Sequence, residues 1–198
     1  MGNTTHLRVC LSLSLALVLQ VSQGQHVPTL YEFEKADKET VRLPPEAFDD
    51  LPPAVQEELT ARGCTIPQAS HMGLEKSNVV RGNFTKSDQT DIAVLCSRER
   101  VSSILVFRGG SEQDVAELAS APDADYLQGA GDGEIAFSRA LGVANPEYIR
   151  MCYEALRAHG VPEPPPLDHE GIDDIFVGKA SGIWYWYEEE WLVLAGAD

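Results

Sequence analysis

The chain has 198 residues, with 15 Lys and Arg against 31 Asp and Glu, and its formal net charge is −16 at pH 7. So acidic a chain repels nucleic acid and anionic lipid headgroups, which argues against a nucleic-acid-binding protein and leaves cationic partners open. The length is sufficient for one domain with a hydrophobic core.

Residues 1–24 have the pattern of a secretory signal peptide. Arg8 precedes an uncharged apolar core at residues 9–21, and Ser22 and Gly24 supply the small residues that a signal peptidase reads. The apolar run is short for a bilayer span. We therefore expect cleavage after Gly24 and a secreted or periplasmic protein with no membrane span. The alternative is an uncleaved membrane anchor.

Three cysteines remain once the leader with Cys10 is removed: Cys64, Cys96 and Cys152. Two of them can pair in an oxidising compartment. Cys152 falls on the apolar side of a predicted helix, where a free cysteine commonly behaves as a small buried hydrophobe. The sequence therefore predicts a disulfide between Cys64 and Cys96. There is no C-x-x-C pair to support a zinc knuckle or a thioredoxin-like centre.

The remaining chain is predicted to form an extended lead-in at residues 25–42 and a single domain at residues 43–198. Near the start of that domain, Pro52 or Pro53 can open a short helix, and Gly63 can end it. The runs NVVRGNF, DIAVLCS and SSILVFRG follow, separated by turn-like polar segments. These β-rich runs predict a three-stranded antiparallel meander.

The middle of the chain is predicted to be mostly helix and loop. Ser111 and Asp114 resemble a capping box, so VAELAS is expected to be a short helix, followed by a loop over residues 122–133. EIAFSRAL fits a strand or a helix equally well. Asn145 with the proline after it predicts a helix start, and Gly160 predicts its end.

Three more β-rich runs, DIFVGKA, GIWYWYE and WLVLAG, close the sequence. They predict a second meander. The expected fold is α+β, with an antiparallel sheet of about six strands formed by two three-stranded meanders and packed with about three short helices.

The two β-rich clusters share a rhythm. RGNFTKSDQTDIAVLCSRERVSSILVF and LDHEGIDDIFVGKASGIWYWYEEEWLVL each have a polar loop ending in an aspartate, Asp91 or Asp174, before two apolar strands. This rhythm resembles the loop-and-strand unit of FG-GAP or VCBS-type repeats. In that family several such units form a propeller, and the acidic loops often hold calcium. Two copies cannot close a ring, so a propeller is not expected. The segments also resemble those of small secreted proteins without an assigned activity.

The second loop carries the candidate metal ligands Asp168, Glu170 and Asp174, with Gly171 placed for a sharp turn. Calcium needs six to eight oxygen ligands, largely from carboxylates at alternating positions. In the first loop only Asp91 keeps a charge at a ligand position. Calcium at the second loop is therefore one hypothesis, and carboxylates that bond backbone amides to set a turn are the alternative.

The same acidic loop, with Asp173 and His169 added, is the basis of an enzymatic alternative. A hydrolase acting on an extracellular or cell-wall polymer would need two carboxylates across a cleft. No nucleophile elbow of the form G-x-S-x-G occurs in the sequence. We assign no catalytic residue from the sequence.

The aromatic strand GIWYWYEEEW supplies the candidate ligand-binding residues Trp184, Trp186 and Trp191. In a strand, Trp184 and Trp186 point to one face, while Tyr185 and Tyr187 point to the other. An exposed Trp face would suit stacking on a sugar or gripping a peptide. The alternative is a central strand that is buried on both faces.

The sequence therefore predicts an exported, non-enzymatic module that binds an extracytoplasmic protein or a glycan, with the hydrolase as the alternative. Asn83 also begins a glycosylation sequon, which matters only in a host that adds N-glycans.

Overall fold

The computed structural model describes residues 27–73, 76–131 and 133–197. The predicted leader lies outside the described residues. The described chain contains helices α1 (Leu30–Glu39), α2 (Pro53–Ala61) and α3 (Pro146–Leu156). Its strands are β1 (Arg42–Leu43), β2 (Ile66–Pro67), β3 (Val79–Gly82), β4 (Asp91–Arg98), β5 (Val101–Phe107), β6 (Val115–Pro122), β7 (Leu127–Gly131), β8 (Glu134–Phe137), β9 (Arg139–Ala144), β10 (Gly171–Phe176), β11 (Ala180–Tyr187) and β12 (Glu190–Ala195).

Two of the helices begin and end where their local signals predict. Pro52 is the N-cap of α2, and Gly63, at φ +71°, turns the chain after it. The Asn145 side chain caps α3 by accepting a hydrogen bond from the Tyr148 amide at 2.8 Å. Gly160, at φ 75°, closes the 3₁₀ turn that extends α3. Both helix predictions are confirmed.

The prediction of an extended lead-in at residues 25–42 is wrong, because α1 occupies residues 30–39. Thr29 and Glu32 form a capping box in which the Glu32 carboxylate accepts from the Thr29 amide at 2.7 Å. The Asp37 carboxylate, near the end of this helix, accepts from Arg42 at 2.8 Å. Mixed charge in this segment therefore stabilises a helix.

The described strands form two four-stranded antiparallel sheets and two two-stranded antiparallel pairs, β1-β2 and β7-β8. The first sheet has the order β3-β4-β5-β6, and the second has the order β12-β11-β10-β9. The α+β class is confirmed, since the antiparallel sheets combine with three short helices. A single six-stranded sheet is wrong: each predicted meander gains a fourth strand and forms its own sheet.

The fourth strand of the first sheet is the segment VAELAS, for which the helix prediction is wrong. It belongs to β6 and pairs with β5, with Val115 opposite Phe107 and Leu118 opposite Ile104. A register shift near Ser102 accompanies the positive φ of 52° at Ala119. Backbone pairing with the exposed edge of β5 overrides the local capping pattern.

The segments on either side of residue 133 also form strands. The predicted loop at residues 122–133 contains a 3₁₀ turn and β7. EIAFSRAL divides at Ser138 into β8 and β9, so it is strand throughout except at that break. β9 provides the fourth strand of the second sheet by pairing with β10.

The two sheets stack face to face, and a helix covers the outer face of each. Successive side chains of β4 point to opposite faces of the first sheet and so contribute to two cores. Val94 and Cys96 pack with α2, while Ala93 and Leu95 face the second sheet. The between-sheet core continues through Ile172 of β10. On the outer face of the second sheet, Ile149 of α3 and the neighbouring strands form a third core. The strand β4 is buried on both faces, which explains its continuous apolar run.

A buried ion pair ties the two sheets together. The Arg139 side chain is 0% exposed, and two of its nitrogens donate to the two carboxylate oxygens of Asp174 at 2.8 Å each. The same guanidinium donates to the backbone carbonyls of Ser102 at 3.1 Å and Ala119 at 2.8 Å. Arg139 and Asp174 belong to the second sheet and the carbonyls to the first, so one buried cation bridges both sheets.

The disulfide prediction is confirmed: Cys64 and Cys96 are bonded, with a Cα–Cα distance of 5.1 Å. It joins the end of the α2 segment to β4. Cys152 is free and buried on α3, as its helical position predicted. None of the helices within the described ranges is long and apolar enough to cross a bilayer.

Candidate functional site

The acidic loop that opens the second meander ends earlier than the sequence predicted. β10 begins at Gly171, which places Asp174 inside the strand and not at the end of the loop. Asp168 is on the surface, with a side chain that is 80% exposed. The Glu170 carboxylate accepts from the backbone amide of Asn83 at 2.8 Å and so ties this loop to the first loop.

These contacts favour structural roles for the predicted calcium ligands. Both carboxylate oxygens of Asp174 are engaged by Arg139, whose positive charge opposes a nearby cation. No group of three or more His, Cys, Asp or Glu residues in the described part of the chain is arranged to hold a metal ion. Calcium at Asp168, Glu170 and Asp174 stays a prediction without support from this geometry.

Asp91 shows what such a carboxylate does in the first loop. It is fully buried, and its Oδ2 accepts from the amide and the hydroxyl of Thr85 at 2.8 and 2.7 Å. Its Oδ1 accepts from the Gln89 side chain and the Gly109 amide, each at 2.7 Å. Asp91 therefore sets the turn, which is the structural alternative for these loops.

The three tryptophans are half-buried. Trp184 and Trp191 pack into the core between the sheets. Trp186 lies beneath the guanidinium of Arg108, with 4.2 Å from the guanidinium carbon to the ring centroid, and its ring meets that of Trp191 edge-on at 5.4 Å. Tyr185, on the opposite face, is fully buried against the α3 side. Ligand binding at Trp184, Trp186 and Trp191 stays a prediction, and their contacts favour a role in packing.

His169 is also held in place by the fold. Its two ring nitrogens lie 2.8 Å from the Glu170 carbonyl oxygen and 2.9 Å from that of Trp186. Its ring stacks on Tyr185 with centroids 4.2 Å apart. Both ring nitrogens therefore lie against backbone carbonyl oxygens within the fold, which favours a structural role for His169.

The structure reveals a different candidate site, a cleft on the outer face of the second sheet beside α3. It has a volume of about 290 Å³. Its polar groups come from three elements: Tyr148 on α3, Asp173 on β10 and Ser181 on β11. Ile175 adds an apolar wall, and Lys179 lies at the hairpin turn. The sequence pattern places Asp173 among several loop carboxylates, whereas the fold makes it the central group of this cleft.

The alternation of β10 directs Asp173 into the cleft. Ile172 and Asp174 face the first sheet, so Asp173 between them faces α3. Gly142 lies directly opposite Asp173 on β9. A Cβ at Gly142 would stand 3.5 Å from the Asp173 Cβ and 3.2 Å from Ile175 Cδ1, so glycine keeps this space open.

One oxygen of the buried Asp173 carboxyl has no hydrogen-bond partner in the described structure. Asp173 is 7% exposed, and its Oδ1 is buried without a hydrogen-bond partner among the described residues. Burial raises the pKa of Asp173, the negative charge of Asp174 adds to this, and hydrogen bonding to Ser181 and Tyr148 opposes it. Together these causes shift the balance toward the neutral acid relative to an ordinary aspartate.

The Cys152 thiol and the Tyr148 phenol, which neighbour Asp173, are both weaker acids than usual. Burial raises the pKa of Cys152, and hydrogen bonding to the Tyr148 hydroxyl only partly opposes this. Burial likewise raises the pKa of Tyr148, with the charge of Asp173 as the next cause. A raised pKa lowers the thiolate fraction of Cys152 and so makes it less reactive, which leaves hydrogen bonding as the role that these groups show.

One sequence signal could have found this site. Asp173 occupies a strand position that alternates with Gly171 and Ile175, on the face that α3 covers. A carboxylate at a position expected to face a helix is costly unless it has a partner or a purpose. The neighbours Tyr148 and Ser181 are far from it in sequence and could not be found from spacing.

Comparison of the chain with protein-family models, with curated proteins and with solved structures found no match. The assignment of a function therefore depends on the fold and on the cleft.

Proposed function

We propose that the protein is an exported, non-enzymatic binding protein whose ligand site is the cleft at Asp173. The observation that supports this most directly is the buried Oδ1 of Asp173, which has no partner within the described structure. An unsatisfied buried acceptor costs about 1–3 kcal/mol, and a ligand that donates a hydrogen bond to it would remove that cost.

Binding is favoured over hydrolysis by the composition of the cleft. A glycosidase places two carboxylates on either side of the scissile bond. Asp173 supplies the only carboxylate among the described residues that line the cleft, and Asp174 points to the other face of the sheet, where Arg139 holds it. The cleft therefore offers recognition groups without the second carboxylate.

Export is supported by two independent features. The leader at residues 1–24 has the composition of a signal peptide. The disulfide between Cys64 and Cys96 is of a kind that persists in oxidising compartments.

The site can be tested by NMR on the purified, disulfide-bonded protein with a library of small polar fragments. We expect binders to shift the amide signals of Tyr148, Asp173 and Ser181. Asp173→Asn should abolish these shifts, and Asp168→Asn, which alters an exposed carboxylate outside the cleft, should preserve them. Fragments that shift only the signals of Trp184 and Trp186 would overturn the assignment, as would a library in which no fragment shifts any signal.

A further inference from the structure

We infer that the cleft recognises a primary ammonium group, which the Asp173 carboxylate binds while the apolar body of the ligand lies against Ile175 and the Tyr148 ring. This inference rests on the proposed function, since it names the class of ligand for the same cleft.

The first argument is the hydrogen-bonding capacity of Asp173. An ionised carboxylate only accepts hydrogen bonds, and an ammonium group only donates them. The side-chain torsion that orients an aspartate carboxyl is soft and roughly two-fold. A small rotation of the carboxyl can therefore present the unpartnered Oδ1 to a donor in the cleft. The residue as a whole is 7% exposed.

The second argument is charge. The polar and charged groups that act on Asp173 are Tyr148 and Cys152 from α3, Ser181 from β11 and, from the opposite face of the sheet, Asp174. None of these four is a cation. A cationic ligand would supply the charge that the described neighbours of Asp173 lack, and the net charge of −16 attracts cations to the whole molecule.

Lys179 supplies the one ammonium group among the described residues that line the cleft, and its contact there is with an aromatic ring. Its Nζ lies 4.1 Å from the centroid of the Phe176 ring, at the exposed hairpin turn. Lys179 is not among the groups that shift the pKa of Asp173. The rim of the cleft thus already holds an ammonium on an aromatic face, and the Tyr148 ring offers a ligand a similar surface.

Ammonium binding would be coupled to the ionisation of Asp173. Burial raises the pKa of this carboxyl, so it ionises at a higher pH than an ordinary aspartate does. An ammonium stabilises the carboxylate and lowers that pKa, and its binding therefore releases a proton. The affinity should rise with pH as Asp173 ionises.

The contribution of the ammonium group to binding can be measured with three probes that share one aromatic ring: benzylammonium, benzyl alcohol and benzoate. Each is titrated calorimetrically into the purified disulfide-bonded protein. A hydrogen-bonded ion pair predicts that benzylammonium binds about tenfold to a hundredfold more tightly than benzyl alcohol, and that benzoate is rejected. Asp173→Asn should remove the preference for benzylammonium, and Asp168→Asn should keep it. Titration in two buffers of different ionisation enthalpy should show proton release over the pH range in which Asp173 titrates.

The outcomes separate the two claims. If benzyl alcohol or benzoate binds as tightly as benzylammonium and shifts the Tyr148 and Ser181 signals, the ammonium inference is wrong and the binding cleft remains. If none of the probes or library fragments shifts those signals, the cleft itself is wrong. If Asp173→Asn does not fold, the unmodified protein still provides a test. Benzylammonium binding that releases no proton over the pH range in which Asp173 titrates would overturn the inference.

Discussion

Replacing Asp174 with Asn tests the buried link between the two sheets. The substitution keeps the size of the side chain and removes its charge, which leaves the guanidinium of Arg139 buried at 0% exposure without a counter-ion. Arg139 would keep its bonds to the carbonyl oxygens of Ser102 and Ala119, which are neutral acceptors. The remaining partners therefore cannot compensate the buried charge.

The expected loss of stability is large. Removing one partner of a buried ion pair typically costs about 3–5 kcal/mol. With a urea m-value of about 2 kcal/mol/M for a domain of this size, the midpoint should fall by about 2 M. By contrast, Asp168→Asn changes a side chain that is 80% exposed, and its effect should stay within about 0.5 kcal/mol.

Urea unfolding followed by tryptophan fluorescence measures both variants under the same conditions. The double variant Arg139→Met with Asp174→Leu provides a further control, because replacing both ions by apolar groups should recover most of the lost stability. A free energy of unfolding for Asp174→Asn within about 0.5 kcal/mol of that of the unmodified protein would refute the account of this link. Stabilisation of the unmodified protein by added calcium that Asp174→Asn abolishes would instead favour the metal hypothesis.

Three further predictions concern other parts of the fold. Reducing the bond between Cys64 and Cys96, whose sequence separation is 32, should cost about 3.7 kcal/mol in urea unfolding, from the entropy of the opened loop. The pKa of Asp173 is higher in the folded protein than in the unfolded chain, so the folded protein binds more protons. The free energy of unfolding should therefore fall as the pH rises through the folded-state pKa. Urea midpoints measured across this range should show the loss, and Asp173→Asn should abolish it. Glu170→Ala should speed hydrogen exchange at the Asn83 amide and cost about 1 kcal/mol.

Short-range signals in the sequence were enough for the elements whose boundaries depend on them. Pro52 and Asn145 mark helix starts through chemistry confined to one turn, and the structure confirms both. The β-rich runs of both meanders also appear as strands. The disulfide followed from the placement of Cys152 on a helix.

Features that depend on distant partners could not be read from the sequence. Whether VAELAS forms a helix or a strand is decided by the free edge of β5, which the local pattern does not contain. The division into two sheets reflects a face-to-face core whose members are far apart in the chain, such as Leu95 and Ile172. The sequence does not predict the cleft for the same reason, because Tyr148 and Ser181 come close to Asp173 only in the folded protein.

The most direct test of the binding cleft is an NMR titration of the Asp173 side-chain carboxyl carbon against pH, with and without benzylammonium. The account predicts a titration midpoint above the ordinary aspartate value of about 3.9, and a lower midpoint when benzylammonium is present. A midpoint at or below the ordinary value that benzylammonium leaves unchanged would contradict it.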